Sequence, residues 1–518
     1  MEKSKILHLF LKYNFNITEE ALQYLETISV SEKALNIILS DLPPELPVVD
    51  LSILKTHLIA ESSPETPISQ PNRDESIQKH ETKPVDVTDS FIPKLNKIPV
   101  KAQIKIKQDI PERLSKKPDS NVYQTMFQDR YKKLRAIIEE RIDKKKILSR
   151  DIPADKRNQL KEGIIIGMVE DTGVLSTNRF VIQLEDSEYP FHTRCVMVED
   201  SPSFPNYRSI LRDAVVGISG VLPKNYKEGP LTAFWGKDII RPGFETHSSS
   251  SSNSKQRVLI VSDIHYGSKT FSKGTFTRFI RLLTLENIRP ALQDMMENVS
   301  TIIIAGDLVE GVGKYPTQKK DLSILSIEEQ YHQLAQEFEK LPPHYDIIVI
   351  PGEHDATQIG LPQPAINKKF SSPLLKLPQI RSHGNPLRIT IEDVNFLLMH
   401  GQGLDNLFQN HLKLNPREVQ EGIQNLLEYR HLGMEYGTFY PLVPYPEDYL
   451  VIEQVPEIVV SGHFHRASYN EYKGVKVITT GSFQKNQASS KLDTSLGIFY
   501  LVDLENGNVS QIDLNTID

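Results

Sequence analysis

Apolar residues along this chain keep two different rhythms, and the changes of rhythm divide it. Over residues 1–58 they fall at helical spacing behind capping residues. Ile6, Leu7, Phe10 and Leu11 form the first cluster, and Thr18 precedes Leu22 and Leu25. Ser31 precedes Leu35, Ile38 and Leu39, and Asp50 precedes Leu51, Leu54 and Leu58. The pattern predicts a small helical interaction module. From 59 to 120 the rhythm stops. Stretches such as ESSPETPISQPNRDESIQKHETKP carry too little apolar surface to offset chain entropy and predict a disordered linker. The helical period returns at Asn121, with Phe127, Tyr131, Leu134, Ile138 and Ile142 on one face. Lys144-Lys145-Lys146 reads as the cationic end that such a helix prefers.

Short strand-like runs follow, bounded by turns: Ile164–Val169, Arg179–Leu184, Thr193–Val198, Val215–Leu222 and Ala233–Ile240. Five strands in this length predict a small β-barrel of the OB type, so 121–246 is expected to be one helix plus a barrel. Phe180, Phe191, Phe234 and Trp235 could stack on single-stranded bases, although barrel core or a subunit contact is the expected role. Five consecutive serines, Ser248–Ser252, mark a joint at 247–256, and an α/β domain at 257–518 completes the chain.

The chemistry concentrates in that last domain. SDIHYGS (Ser262–Ser268), GDLVEG (Gly306–Gly311), GEHDAT (Gly352–Thr357), MHGQG (Met399–Gly403) and SGHFHRA (Ser461–Ala467) each follow an apolar run, and RHL (Arg430–Leu432) lies between the last two. Buried strands that end in Asp, Glu or His aim polar groups at one edge of a sheet, where open α/β sheets bind ligands. A lone histidine at a strand end is usually a satisfied structural residue; five such endings in one chain point to a site. The residue types fit a dinuclear hydrolytic centre, which needs a bridging carboxylate and neutral imidazoles. Asp307 is the expected bridge. Asp263 and His265, two residues apart, are expected on one side of their strand, and His463 and His465 repeat the spacing. His400 completes the set, and His354 is placed to protonate a leaving oxygen or stabilise charge. Oxygen and nitrogen donors without thiolate suit Mn²⁺ first, with Fe or Zn²⁺ as alternatives.

Composition narrows the setting. At 518 residues the chain exceeds one core, while 39% hydrophobic and 25% charged residues are ordinary for a globular protein. No apolar run reaches the ~18 residues of a membrane span, and the polar N-terminus does not read as a secretory signal. The single cysteine, Cys195, excludes an internal disulfide framework and fits a reducing cytoplasm. A net charge of −7 argues against tight, unaided binding of nucleic acid. Substrate is expected to be met through metals, a local groove and a partner's basic surface.

The stretches SDIHYGS, GDLVEGVGKYP, PGEHDAT with LPQPA, LLEYRHL and DYLVIEQVPEIVVSGHFH resemble the small subunit of the archaeal D-family DNA polymerase, a calcineurin-like metallophosphoesterase. The resemblance runs from about Gly163 to the C-terminus. It implies a four-layer β-sandwich flanked by helices and preceded by an OB-fold, and a 3′–5′ proofreading exonuclease held by a large polymerase subunit. It implies one metal on Asp263, His265, Asp307 and His465. A second falls on Asp307, residue 353, His400 and His463, with His354 catalytic. One position departs: the family carries Asn where this chain has Glu353, adding a charge and a methylene to a ligand position. The implied partners are the large subunit and the single-stranded primer 3′ end in the nucleoid. A sliding clamp would be a further one, although no clamp-binding motif is resolved.

Two other readings compete. A free-standing calcineurin-like repair nuclease would normally begin with its phosphoesterase domain, unlike this chain. A non-catalytic scaffold subunit with a weakened metal site is favoured by Glu353 alone.

Overall fold

A computed structural model of the chain describes residues 100–112, 120–152, 162–176, 179–187, 189–198, 210–224, 229–247, 252–410, 414–438, 440–485 and 494–517, with Ile6, Asn16, Ile17, Leu25, Leu35, Val48 and Val49. The chain divides into two compact units, 1–90 and 91–518. In the first, Asn16–Ile17 pairs in parallel with Val48–Val49, and Ile6, Leu25 and Leu35 are buried. The rest of the expected helical module lies outside the described residues, as do Ser248–Ser251 of the expected joint.

The first element described in the second unit is a strand where a linker was expected. Strand β1 (Ile104–Gln108) pairs antiparallel with Leu387–Ile391. Its sequence IKIKQ carries two lysines, as exposed edge strands do: Ile104 packs partly against the core, while Lys105, Ile106 and Lys107 are exposed. Just beyond it, Asp109 accepts from the Gly384 amide at 2.8 Å and contacts His383 Nδ1 at 2.6 Å, while Ile110 is buried. The composition of 59–120 hid this short strand, because the partner that pairs it lies some 280 residues away.

Helix α1 (Ser120–Arg141) buries Tyr131, Leu134 and Ile138 against the barrel residues Ile164, Ile166, Met168 and Val215. The three lysines do not end it as expected. They form a separate 3₁₀ turn whose start is capped by Asp143, which accepts from the Lys145 amide. Strands β2 (Glu162–Ser176), β3 (Arg179–Asp186), β4 (Tyr189–Val198), β5 (Val215–Val221) and β6 (Ala233–Ile240) close into a barrel of order β6-β4-β3-β2-β5. The β4–β6 pair is its one parallel pairing. Phe180, Phe234 and Cys195 lie in the barrel core, whereas Trp235 is exposed, with the Arg179 guanidinium 5.8 Å from its ring centroid. Burial raises the Cys195 thiol to about 12, so it is an inert core thiol.

The remaining chain builds two stacked sheets. The strands are β7 (Arg257–Val261), β8 (Val299–Ala305), β9 (Asp346–Ile350), β10 (Ile380–Ser382), β11 (Leu387–Ile391), β12 (Val394–Leu398), β13 (Ile458–Ser461), β14 (Ser468–Tyr472), β15 (Val475–Thr479), β16 (Ile498–Asp503) and β17 (Val509–Asp513). One six-stranded sheet runs β10-β9-β8-β7-β16-β17 and the other β14-β15-β13-β12-β11-β1. Alternation along β7 assigns the layers: Val258 and Ile260 face the second sheet, with Phe396, Leu398 and Val460. Leu259 and Val261 face the outer helices, with Phe276, Phe279 and Leu334. Both faces are buried, which explains why these strands read as continuous apolar runs. The other sheet's outer face shares one hydrophobic cluster with the barrel, including Val459, Val477, Ile423, Phe180 and Ile218. The result is helix, sheet, sheet, helix, with the barrel fused to one side. Among the described residues, no helix is long and apolar enough to cross a membrane.

Candidate metal centre

The loops after β7, β8, β9, β12 and β13 converge at one end of the two sheets, and the expected ligands come with them. Asp263 Oδ1 lies 3.3 Å from His465 Nε2 and 3.8 Å from His265 Nε2, and those two imidazole nitrogens are 3.1 Å apart. On the other side, Glu353 Oε2 lies 2.7 Å from His400 Nε2, and Glu353 Oε1 lies 2.7 Å from His463 Nδ1. Asp307 stands between the groups: its Oδ2 is 3.6 Å from His265 Nε2 and 3.3 Å from His400 Nε2. Donor atoms of Asp263, His265 and His465, and of Glu353, His400 and His463, fall into two clusters within 4.8 Å, each able to hold a cation. His354 reaches a third grouping with His265 and Asp307.

The DxH and GHxH spacings do not work by strand alternation as expected. Asp263, His265, Asp307, His463 and His465 all lie past their strand ends, with φ between 51° and 71°. Left-handed backbone costs a non-glycine residue ~1–3 kcal/mol and persists only where surroundings over-determine it. Here backbone hydrogen bonds stitch the loops together: Asp263 N to Gly306 O at 3.0 Å, His265 N to Asp307 O at 2.9 Å and Gly462 N to His400 O at 2.7 Å. Close approach also demands glycine. A Cβ on Gly352 would lie 2.1 Å from Asp307 Oδ1, and one on Gly306 2.2 Å from His400 Nδ1.

Each inner histidine is oriented by its other nitrogen. His265 Nδ1 contacts Glu310 Oε2 at 2.9 Å, His400 Nδ1 the Ala305 carbonyl at 2.8 Å, and His463 Nε2 the Asp405 carboxylate at 2.8 Å. Such partners fix tautomer and ring angle and leave the opposite nitrogen for a cation. His354 Nδ1 is tied to the Glu310 carbonyl at 2.7 Å, and its amide donates to Asp307 Oδ1 at 2.9 Å. Asp355 braces the floor, accepting from Leu308 N, Gly352 N and the Tyr331 hydroxyl. Burial and the Asp307 charge raise it to about 6. Glu310, Asp355 and Asp405 were not singled out from sequence. The first two sit inside the GDLVEG and GEHDAT stretches, whereas Asp405 carried no signal.

Electrostatics and satisfaction together test the fit to a cation. Burial would raise the Glu353 carboxyl, yet His463 and His400 hold it well below the carboxylate range. Burial likewise opposes ionisation of Asp263, but His465 and His265 keep it low. Even so, Glu353 Oε2, His400 Nε2 and His463 Nδ1 are buried without a hydrogen bond of acceptable geometry. Buried polar atoms normally find partners. Three that converge from a carboxylate and two imidazoles, in contact at 2.7 Å yet without hydrogen-bond geometry, fit a divalent ion. The cluster opens on one side: Asp263, His265, Asp307 and His400 are at most 2% exposed, whereas Glu353, His354, His463 and His465 are 10–17% exposed.

The RHL segment does not join. His431 is buried elsewhere, with Nε2 2.9 Å from Asp448 Oδ2 and Nδ1 accepting from the Gly433 amide at 3.1 Å. Asp448 in turn takes Arg130 of α1 at 2.6 Å. RHL is therefore a structural knot between that helix and the sandwich, not a ligand segment.

Comparison with known proteins places the chain among polymerase subunits. Residues 258–470 match the family of the DNA polymerase alpha/epsilon B-subunit. The DNA polymerase II small subunit of Methanothermobacter thermautotrophicus is 32% identical over 367 residues, 71% of this chain and 73% of the relative. That of Archaeoglobus fulgidus is 31% identical over 382 residues, 74% of each. A solved structure titled "Structural and Functional Characterization of a Novel Archaeal Phosphodiesterase" covers 50% of this chain and 99% of its own at 15% identity, with a TM-score of 0.25.

Proposed function

The chain belongs to the DNA polymerase II small-subunit family of the archaeal D-family polymerases, and on that premise we propose that it is the subunit that hydrolyses DNA phosphodiesters from the 3′ end. The observation that carries the reading is the pair of donor clusters on either side of Asp307, with Glu353, His400 and His463 converging without hydrogen-bond geometry. Asp263, His265 and His465 would hold one divalent ion, and Glu353, His400 and His463 a second, Mn²⁺ before Fe or Zn²⁺. Bound there, such ions polarise a phosphodiester and acidify an attacking water. The protein's own part is to fix the donors and to carry the proton. With Nδ1 tied to the Glu310 carbonyl, His354 keeps Nε2 to protonate the leaving 3′ oxygen. The five-stranded barrel, with its single parallel pair, supports the OB reading of that domain.

The name "small subunit" on its relatives supports a large catalytic subunit as partner, with the primer 3′ end as substrate. A scaffold reading keeps one observation in its favour, the carboxylate of Glu353 in place of a neutral amide, which lowers the charge left to polarise substrate. Digestion of a 3′-mismatched primer by the chain with its large subunit, titrated with Mn²⁺, separates the two. Mn²⁺-dependent release of mononucleotides is expected. Full metal loading with no release would leave only the scaffold, and failure to co-purify with a large subunit would favour a free nuclease.

A further inference from the structure

Alongside the metal centre lies a cavity of about 580 Å³ that the proposed chemistry does not use. Its wall includes Val312 and Lys314, just after the GDLVEG turn, together with Ile327 at the start of the helix Ile327–Phe338. Lys368 and Phe370, at the start of the helix Lys368–Leu375, also line it. The cavity wall is bonded to the loop that carries the site. Lys314 Nζ donates at 2.8 Å to the carbonyl of Asp355, the residue after His354. At Gly311 the chain is so close to both that a Cβ would lie 2.1 Å from His354 O and 3.0 Å from Lys314 Cε. Lys314 thus joins the cavity wall to the loop that carries Glu353 and His354.

The lining has a definite chemistry. Val312, Ile327 and Phe370 supply apolar and aromatic surface, and Val312 is exposed. Lys314 and Lys368 supply two cations against one carboxylate, Glu112, in a chain whose net charge is −7. Local cationic surface on an acidic protein is complementary to an anionic ligand. An aromatic face for a base beside ammonium groups for phosphates is how sequence-tolerant single-strand tracks are built. The volume falls within the ~300–1,000 Å³ of small-ligand sites.

We propose that this cavity is a subsite for single-stranded DNA, seating the nucleotide next to the scissile bond with its base against Phe370 and its phosphate between Lys314 and Lys368. This rests on the reading that the adjacent centre cleaves DNA. Two variants probe it without removing the lysine that braces the loop: Lys368→Glu, at an exposed helix start, and Phe370→Leu, which keeps an apolar contact with the core. For each, kcat/KM on an oligothymidylate is divided by kcat/KM on bis(p-nitrophenyl) phosphate, which has no further nucleotide to seat. That ratio should fall roughly ten-fold, the scale of one lost base stack or phosphate contact. An unchanged ratio overturns the subsite while leaving the hydrolase reading intact. If the unsubstituted chain cleaves neither substrate even with its large subunit present, the hydrolase reading fails, and the subsite is judged by anisotropy of the same labelled oligothymidylate. A similar loss of affinity, with a shallower salt dependence for Lys368→Glu, supports it; equal affinities overturn it.

Discussion

The candidate metal cluster and the knot around His431 are made of the same side chains, histidine and carboxylate on loops at element ends, and they differ in what their lone pairs meet. Around His431 both ring nitrogens are engaged, and Asp448 accepts from Arg130, His431 and the Leu450 amide. Burial, with the Arg130 charge adding to it, depresses His431 to about 4, so the ring is neutral and acts as a strut. Around Asp307, His400 and His463 are each tied by one nitrogen only, and the other converges on Glu353 without hydrogen-bond geometry. Residue type therefore does not distinguish a site from a strut. Unsatisfied, convergent donors do.

Asp307→Ala should break the active side of this comparison most completely. It removes the carboxylate between the clusters, and phosphodiester cleavage should fall by at least ~10³-fold, with metal content measured alongside turnover. Near-normal turnover with both ions retained would end the dinuclear assignment. For His354→Ala the expected loss is ~10²–10⁴-fold with metal content unchanged; a parallel loss of metal would make His354 a ligand.

On the structural side, Arg130→Met leaves the buried Asp448 charge without its cation, held only by His431 and the Leu450 amide. Unfolding free energy should drop by ~3–5 kcal/mol, read by denaturant titration, while metal content per folded molecule stays constant. If turnover falls and stability does not, the knot is functional after all. Glu353→Gln tests the borderline residue. Deleting its charge while keeping a carbonyl oxygen should weaken one ion and shift the Mn²⁺ titration midpoint several-fold, whereas identical curves would remove Glu353 from the ligand set.

The smallest effect concerns pH. His431 has a folded pKa near 4 against ~6.5 in an unfolded chain. Between these values the unfolded chain binds a proton that the fold refuses, so stability falls as pH drops from ~6.5 to ~4, by at most ~1.4 kcal/mol per unit. His431→Gln should flatten that slope. An undiminished slope would assign the acid sensitivity to other groups.

Much of this molecule is legible from its sequence. The strands at Ala233–Ile240, Arg257–Val261 and Asp346–Ile350 follow from local apolar runs, and the ligand residues follow from polar side chains placed at their ends. Both are local signals, carried by neighbours in sequence. What only the tertiary structure decided depends on partners far away in the chain. Strand β1 exists because Leu387–Ile391 offers it an edge. His431 became a strut because Arg130 and Asp448 close around it. Asp405 gained its role only when the helix Gly403–Asn410 brought it to His463. The left-handed backbone of five candidate ligand residues is likewise set by hydrogen bonds between loops. Residue identity fixes which groups can bind a cation or carry a proton; packing and long-range hydrogen bonds fix which lone pairs are left open to do so.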